Sequence, residues 1–437
     1  MFRLLALASA ASGLVARNVK VDGQKFVLAS TGEEIVLSGP NVVVKGPPWL
    51  PSVSGTTVCR DGVNDTCAAA GTCESCTTFN QADVDNIKAN GWNAIRLSVI
   101  WAGAQPAAGD ALDADFLARL DAILDLTDAN GLHVLLDNHG DMVGTAGCGN
   151  GLPMWVQQAA APDKIGKPLE TDFPYSWVSG MDIADQDGYK TCGDDASKWA
   201  EFAGDPLYNL KNPCCQAMNA GGNPGYLGYT SLQQDSMAYV LGEGAGRDAF
   251  ANFWGLVAAA VADHPSAFGA ELMNEPMSVH RRDMFNAWKA CAEAIHAVVP
   301  DMAVALADVG EAAVLPDWVD KYVTAGLDID SATTDWIKAA DYLFYAFHWY
   351  GTPSDMHDAV DRVNDIKADW DVPAFSTESG KSCDYRDLLR NNSISWTYWH
   401  YSDYCTTGAT FGNRPVNETF GACILGWGSG SPGPVCP

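Results

Sequence analysis

The chain has 437 residues, 47% of them hydrophobic and 18% charged, with a formal net charge of −28 and an isoelectric point near 4.4. That length and apolar fraction allow a large buried core and exclude a disordered or fibrous class. The acidity excludes a nucleic-acid binder, which needs a basic footprint.

The N-terminus reads MFRLLALASAASGLVAR. Arg3 and the apolar, small-residue run from Leu4 to Ala16 predict a secretory signal over residues 1–16, too short for a membrane span. No later run of about 18 apolar residues appears, so no integral membrane helix is expected. The mature chain is expected to be a secreted monomer. Thirteen cysteines fit an oxidising compartment. Cys59, Cys67, Cys73 and Cys76 crowd one loop, and Cys214 and Cys215 are adjacent. CESC at 73–76 is half of a zinc motif with no second half, so disulfides rather than a metal are expected. Cys291, in a helical segment, is the expected unpaired thiol. Asn-x-Ser/Thr sequons at Asn64, Asn391 and Asn417 agree with secretion as a glycoprotein.

VKVDGQKFVLASTGEEIVL predicts a β-hairpin with its turn near Thr31–Gly32. The apolar run through 38–46 predicts a buried strand. FNQADVDNIKANG has helical spacing and closes on Gly91, and NAIRLSVIW is the next strand. Asp113 to Asn130 predicts an amphipathic helix ended by Gly131, followed by the strand LHVLLDNH. Residues from about 140 to 235 form a long irregular stretch rich in Gly, Pro, Asp, Cys and Trp; such loops are usually functional or else disordered, and the Trp and Cys content argues for order. Ala249 to Ala262 is then helical, FGAELMN a strand and Asp283 to Val298 a helix. MAVALADV, YLFYAFHWY, PAFSTES and ISWTYWHYS complete the strands. Eight β-segments alternating with helices predict a (β/α)8 TIM barrel, one catalytic domain over 17–437 with an N-terminal β-hairpin and an insertion after the third barrel strand.

In such a barrel, chemistry sits at the C-terminal strand ends. Those ends carry Lys45, Arg96, the trio Asp137, His139 and Asp141, then Asn274 and Glu275, His348 and Tyr350, Glu378, and Trp399. Each closes an apolar run, which packing alone does not explain. Glu275 and Glu378 are the pair of rigidly held carboxyls that glycoside hydrolysis requires, and a separation near ~5 Å would mean retention through a covalent intermediate. Arg96 would keep Glu378 ionised. Glu271, on the same strand face as Glu275 but deeper, reads as structural. Trp101, Trp155, Trp177 and Trp349 fit subsites and core filling equally. No metal or organic cofactor is needed, because two carboxyls carry the proton and nucleophile steps.

From about residue 35 to 405 the chain resembles glycoside hydrolase family 5, retaining enzymes built on (β/α)8 barrels. NEP after the fourth barrel strand and STESG after the seventh match that family's acid/base and nucleophile, which implies those roles for Glu275 and Glu378. Arg96 in NAIRLS, His139 in LLDNH, Asn274, His348 and Tyr350 in FHWYG, and Trp399 match its supporting positions. The resemblance implies that Asn274 donates to a sugar hydroxyl, that Tyr350 holds Glu378, that His139 and His348 bond sugar hydroxyls or the carboxylates, and that Trp399 offers a flat face to a sugar ring. NVVVKGPPWLP and DNHGDMVGTAGCGNGLPMW look like the endoglycoceramidase-like branch, which cleaves between the glycan and the ceramide of glycolipids. That likeness implies that Lys45 and Asp137 contact sugar. The branch's DxHQD reads DNHGD here, with Gly140 in place of Gln. The expected partner is therefore a carbohydrate or glycolipid substrate. An endo-β-glucanase, a β-mannanase and an inactive carbohydrate-binding barrel are the alternatives.

Overall fold

Eight parallel strands close on themselves in the computed structural model of the chain. They are β3 (Ser38–Val42), β4 (Ala94–Ser98), β5 (His133–Asp137), β6 (Ala267–Glu271), β7 (Ala303–Ala312), β8 (Leu343–Trp349), β9 (Ala374–Ser379) and β10 (Ser395–Tyr398). Their order around the barrel is β10-β3-β4-β5-β6-β7-β8-β9, the predicted (β/α)8 arrangement. The structure describes residues 15–54, 79–173, 175–177, 182–220, 225–277, 281–312, 329–350, 355–380 and 383–399. The leader up to residue 14, the loop with Cys59, Cys67, Cys73 and Cys76, the sequons at Asn64 and Asn417, and the C-terminal tail lie outside the described residues. Asn391 is exposed at a helix end.

Strands such as β4 and β5 are buried along their whole length. Both faces of a parallel sheet are covered, so its strands read as continuous apolar runs rather than alternating ones. The flanking helices start and stop where their end residues dictate. The helix Ala114–Asn130 begins where the Asp113 side chain accepts from the Phe116 backbone N–H at 2.9 Å. It ends at Gly131, whose φ of 67° suits glycine.

The hairpin is tighter than expected. Strands β1 (Val19–Asp22) and β2 (Lys25–Leu28) turn at Gly23, not near Thr31–Gly32. The Asp22–Gly23 dipeptide is itself a strong turn signal. Thr31–Gly32 makes a second turn, which returns the chain so that Ile35 N–H donates to the Phe26 carbonyl at 2.9 Å. The hairpin plugs the N-terminal end of the barrel. Phe26 meets Phe268, Phe344 and Phe375 edge-on, with ring centroids 5.4 to 6.2 Å apart.

The insertion is ordered, as its Trp and Cys content argued, and it carries more helix than expected. It contains the helices Met154–Ala160 and Ser231–Leu241, several shorter turns, and a core of its own around Trp199, Tyr208, Met218 and Leu227. Disulfides Cys148–Cys215 and Cys192–Cys214 staple it. Short helices with Gly and Pro between them lack the periodicity that makes longer helices readable. Cys291 is a buried free thiol, as expected. Among the described residues, no helix is long and apolar enough to cross a membrane.

Candidate active site

The floor of the site is Arg96, fully buried on β4. Its Nε and Nη2 grip Glu271 at 2.7 and 2.8 Å, and Nη2 also donates to Asn274 Oδ1 at 2.7 Å. Its Nη1 donates to Asn41 Oδ1 at 2.7 Å and to Glu378 Oε1 at 2.8 Å. A planar guanidinium is suited to this, because its donors point in fixed directions. Asp137 lies 3.2 Å from Nη2. One cation thus faces three buried carboxyls. Burial first, then the neighbouring carboxylates, push Asp137 well above the usual carboxyl range despite Arg96.

Glu378 takes the opposite direction. Burial pulls its pKa up, but the charges of His348 and Arg96, the Tyr350 hydrogen bond and Lys45 outweigh burial and leave it lowered. Tyr350 donates its hydroxyl to Glu378 Oε2 at 2.6 Å. Tyr350 is 55% exposed as a residue, while desolvation of its hydroxyl and the Glu378 charge hold its pKa well above normal. It therefore remains a donor.

Glu275 is the more open carboxyl, with its side chain 38% exposed against 7% for Glu378. It follows β6 in the left-handed region, at φ 41°. A non-glycine residue there costs on the order of 1–3 kcal/mol and persists only when its surroundings enforce it. His348 Nδ1 lies 2.8 Å from Glu275 Oε1. Burial lowers the His348 pKa, but Glu378 and Glu275 together raise it above the ordinary histidine value. Ligand-type atoms of Glu275, His348 and Glu378 all lie within 4.8 Å of one another. A cation could use those atoms, but His348 and Tyr350 already occupy oxygens of the two carboxylates.

Lys45 forms an ion pair with Asp141, and its Nζ stands 4.4 Å from the Trp399 ring centroid. His139 stacks on Trp399 with centroids 5.0 Å apart, and its Nδ1 is 2.7 Å from Asp137 Oδ2. Asn274 Nδ2 donates to Asp141 Oδ1 at 3.0 Å.

All ten predicted site residues are thus gathered at one end of the barrel. Asp137 is fully buried, 3.2 Å from Arg96 Nη2 and 2.7 Å from His139 Nδ1. Asp141, one turn of loop further on, is the acidic residue beside Lys45 and Asn274. It was visible as a strand-end residue but not separable from Asp137 by pattern. Glu271 is fully buried and held by Arg96 and the Thr377 hydroxyl. Gly140, which departs from the Gln of the DxHQD pattern, packs against Gly151, whose Cα would lie 3.0 Å from a Cβ at position 140. Trp101 belongs to the core, stacked on Phe253, whereas Trp177 is 83% exposed beside Phe173. Tyr229, contributed by the insertion, went unrecognised. Burial first, and then the charge of Glu275, raise its pKa. No sequence signal inside the insertion pointed to it.

The family model described as Cellulase (glycosyl hydrolase family 5) matches residues 61–204 and 230–404. An endoglycoceramidase of Cyanea nozakii is 26% identical over 249 residues, 57% of this chain and 40% of the relative. Endoglycoceramidase I of Rhodococcus hoagii (strain 103S) is 28% identical over 258 residues, 59% of this chain and 37% of the relative. The chain therefore spans about two fifths of the length of these curated relatives. Among solved structures, the lactosyl-enzyme intermediate of endo-glycoceramidase II from Rhodococcus sp. superposes with a TM-score of 0.52 at 17% identity, covering 88% of this chain and 75% of the other. An endogalactoceramidase gives 0.52 at 16% identity, covering 88% and 74%. At these identities the structural likeness establishes the barrel fold. The family match covers well over half of the sequence, and the chain belongs to glycosyl hydrolase family 5.

Proposed function

We propose that this chain is a secreted, retaining β-glycosidase that uses Glu378 as nucleophile and Glu275 as acid/base. The observation that carries this reading is the spacing of the two carboxylates, which have oxygens within 4.8 Å of one another. Retaining glycosidases place their carboxyls about 5–5.5 Å apart, too close for a water between nucleophile and sugar. In the first step a Glu378 oxygen attacks the anomeric carbon, the glycosidic C–O bond breaks, and Glu275 gives its proton to the departing oxygen. In the second step Glu275 takes a proton from water, whose oxygen attacks the same carbon and frees Glu378. Arg96 and Tyr350 keep Glu378 ionised and oriented. His348 bridges toward both carboxylates. Asn274, held by Arg96, has an amide beside the sugar position.

The substrate we propose is the linkage between glycan and ceramide in a glycolipid. The likeness of the chain to endoglycoceramidases supports it, as does the Lys45–Asp141 pair beside Trp399, which offers charged and flat groups to sugar hydroxyls and a ring. A β-glucan is the second reading, favoured by the family model's own description as Cellulase. Secretion is supported by the leader-like pattern over 1–16 and by the two disulfides. Product analysis on a ceramide-linked lactosyl lipid, a mixed-linkage β-glucan, laminarin and mannan tests the reading, with Glu378→Gln as blank. Intact oligosaccharide and free ceramide are expected. Cleavage of a polysaccharide alone would overturn the glycolipid assignment.

A further inference from the structure

Two adjacent glutamines on the last helix of the insertion touch both loops that carry the site, and nothing in the chemistry above uses them. Gln233 is fully buried. Its Oε1 accepts from the Gly144 backbone N–H at 3.0 Å, and its Nε2 donates to the carbonyls of Met142, Gly144 and Gly147 at 2.7, 3.1 and 3.0 Å. Those carbonyls belong to the loop that runs on from Asp141, whose far end is pinned by the Cys148–Cys215 disulfide. Gln234 serves the other loop. Its Nε2 donates to the Gly228 carbonyl at 2.7 Å and to the Met277 carbonyl at 3.1 Å. Met277 lies two residues after Glu275, and Met277 Sδ packs so closely on Gly228 that a Cβ there would collide.

We propose that Gln233 and Gln234 are positioning residues, through which the disulfide-stapled insertion fixes the loops of Asp141 and Glu275. The inference rests on the acid/base reading of Glu275. That residue's left-handed backbone must be enforced from outside, and the Gln234–Met277 bond is a constraint of this kind. A small misplacement of a catalytic group is enough to be seen in rate, since about 1 Å costs up to ~10²-fold.

The test is kcat/KM of Gln234→Leu and Glu275→Ala on aryl glycosides with poor and with activated leaving groups, with melting temperatures measured alongside. For Gln234→Leu, kcat/KM on the poor leaving group should fall about tenfold and on the activated one by less than about twofold. A purely structural role would lower both equally. A steep Glu275→Ala series beside a flat or uniform Gln234→Leu series overturns this inference alone. A flat Glu275→Ala series overturns the acid assignment and this inference with it. Should Gln234→Leu not fold, Gln234→Asn keeps the amide, shortens its reach and must show the same leaving-group dependence.

Discussion

The two ends of the barrel are built from the same strands by opposite physics. Ala94, Leu135 and Phe375 belong to the apolar cluster closed by Phe26. Two residues further along those strands stand Arg96, Asp137 and Thr377, all fully buried. A step of two keeps a side chain on the same face of its strand, so both sets point inward, one layer above the other. The lower layer is held by area removed from water and by close packing. The upper layer holds one guanidinium among Glu271, Asp137 and Glu378, an arrangement whose desolvation offsets most of its Coulombic gain. The lower end therefore contributes more to the stability of the fold than the upper end, where the proposed chemistry lies.

That contrast can be broken by experiment. Glu378→Gln should lower kcat by roughly 10⁴-fold while the thermal midpoint stays close to that of the parent. Turnover near normal would remove Glu378 from the mechanism, and a collapsed midpoint would make the upper layer structural. Reduction of both disulfides should be the next largest effect. In the chain-entropy model, loops of 67 and 22 residues contribute about 4 and about 3 kcal/mol. An unchanged melting curve in reductant would contradict the stapled insertion. Phe26→Ala should cost about 3–5 kcal/mol in denaturant unfolding, with kcat of the folded fraction unaltered. A lower kcat with intact stability would invert the comparison.

The smallest expected effect is on pH dependence. His133, at the start of β5, has its pKa lowered by burial from 6.5 to about 4. Unfolded chain takes up a proton near pH 6.5 that folded chain refuses until about pH 4, so stability falls as pH drops through that window. The loss reaches about 3 kcal/mol at pH 4, and His133→Gln should flatten that limb. His264 acts with the opposite sign. Burial opposes its charge, but Asp128 and Asp121 raise its pKa overall. Its stabilisation is complete below pH 6.5 and is lost as pH rises through the raised value.

Much of the upper layer was legible because each strand is a short apolar run that stops on a polar residue. Asn274–Glu275 after β6 and Glu378 near the end of β9 stand out for that reason, and the barrel then brings the ends together. Asp137 and Asp141 were not separable in that way. The first is the last residue of a regular strand, whereas the second follows an irregular loop with no period to read. The grip of Arg96 on Glu271 was equally hidden, because it joins residues 175 apart in sequence. The hairpin turn was misplaced because two Gly-containing turns compete within one short segment. The order of the insertion comes from disulfide pairing and buried side-chain amides, and neither follows a repeat.

The most direct measurement is covalent trapping. An activated 2-deoxy-2-fluoro glycoside slows both steps but keeps a good leaving group, so the glycosyl-enzyme accumulates. After proteolysis and tandem mass spectrometry, we predict the sugar on Glu378, with the adduct absent from Glu378→Gln. An adduct on Glu275 or Glu271, or turnover of the reagent with inversion at the anomeric carbon, would contradict the account.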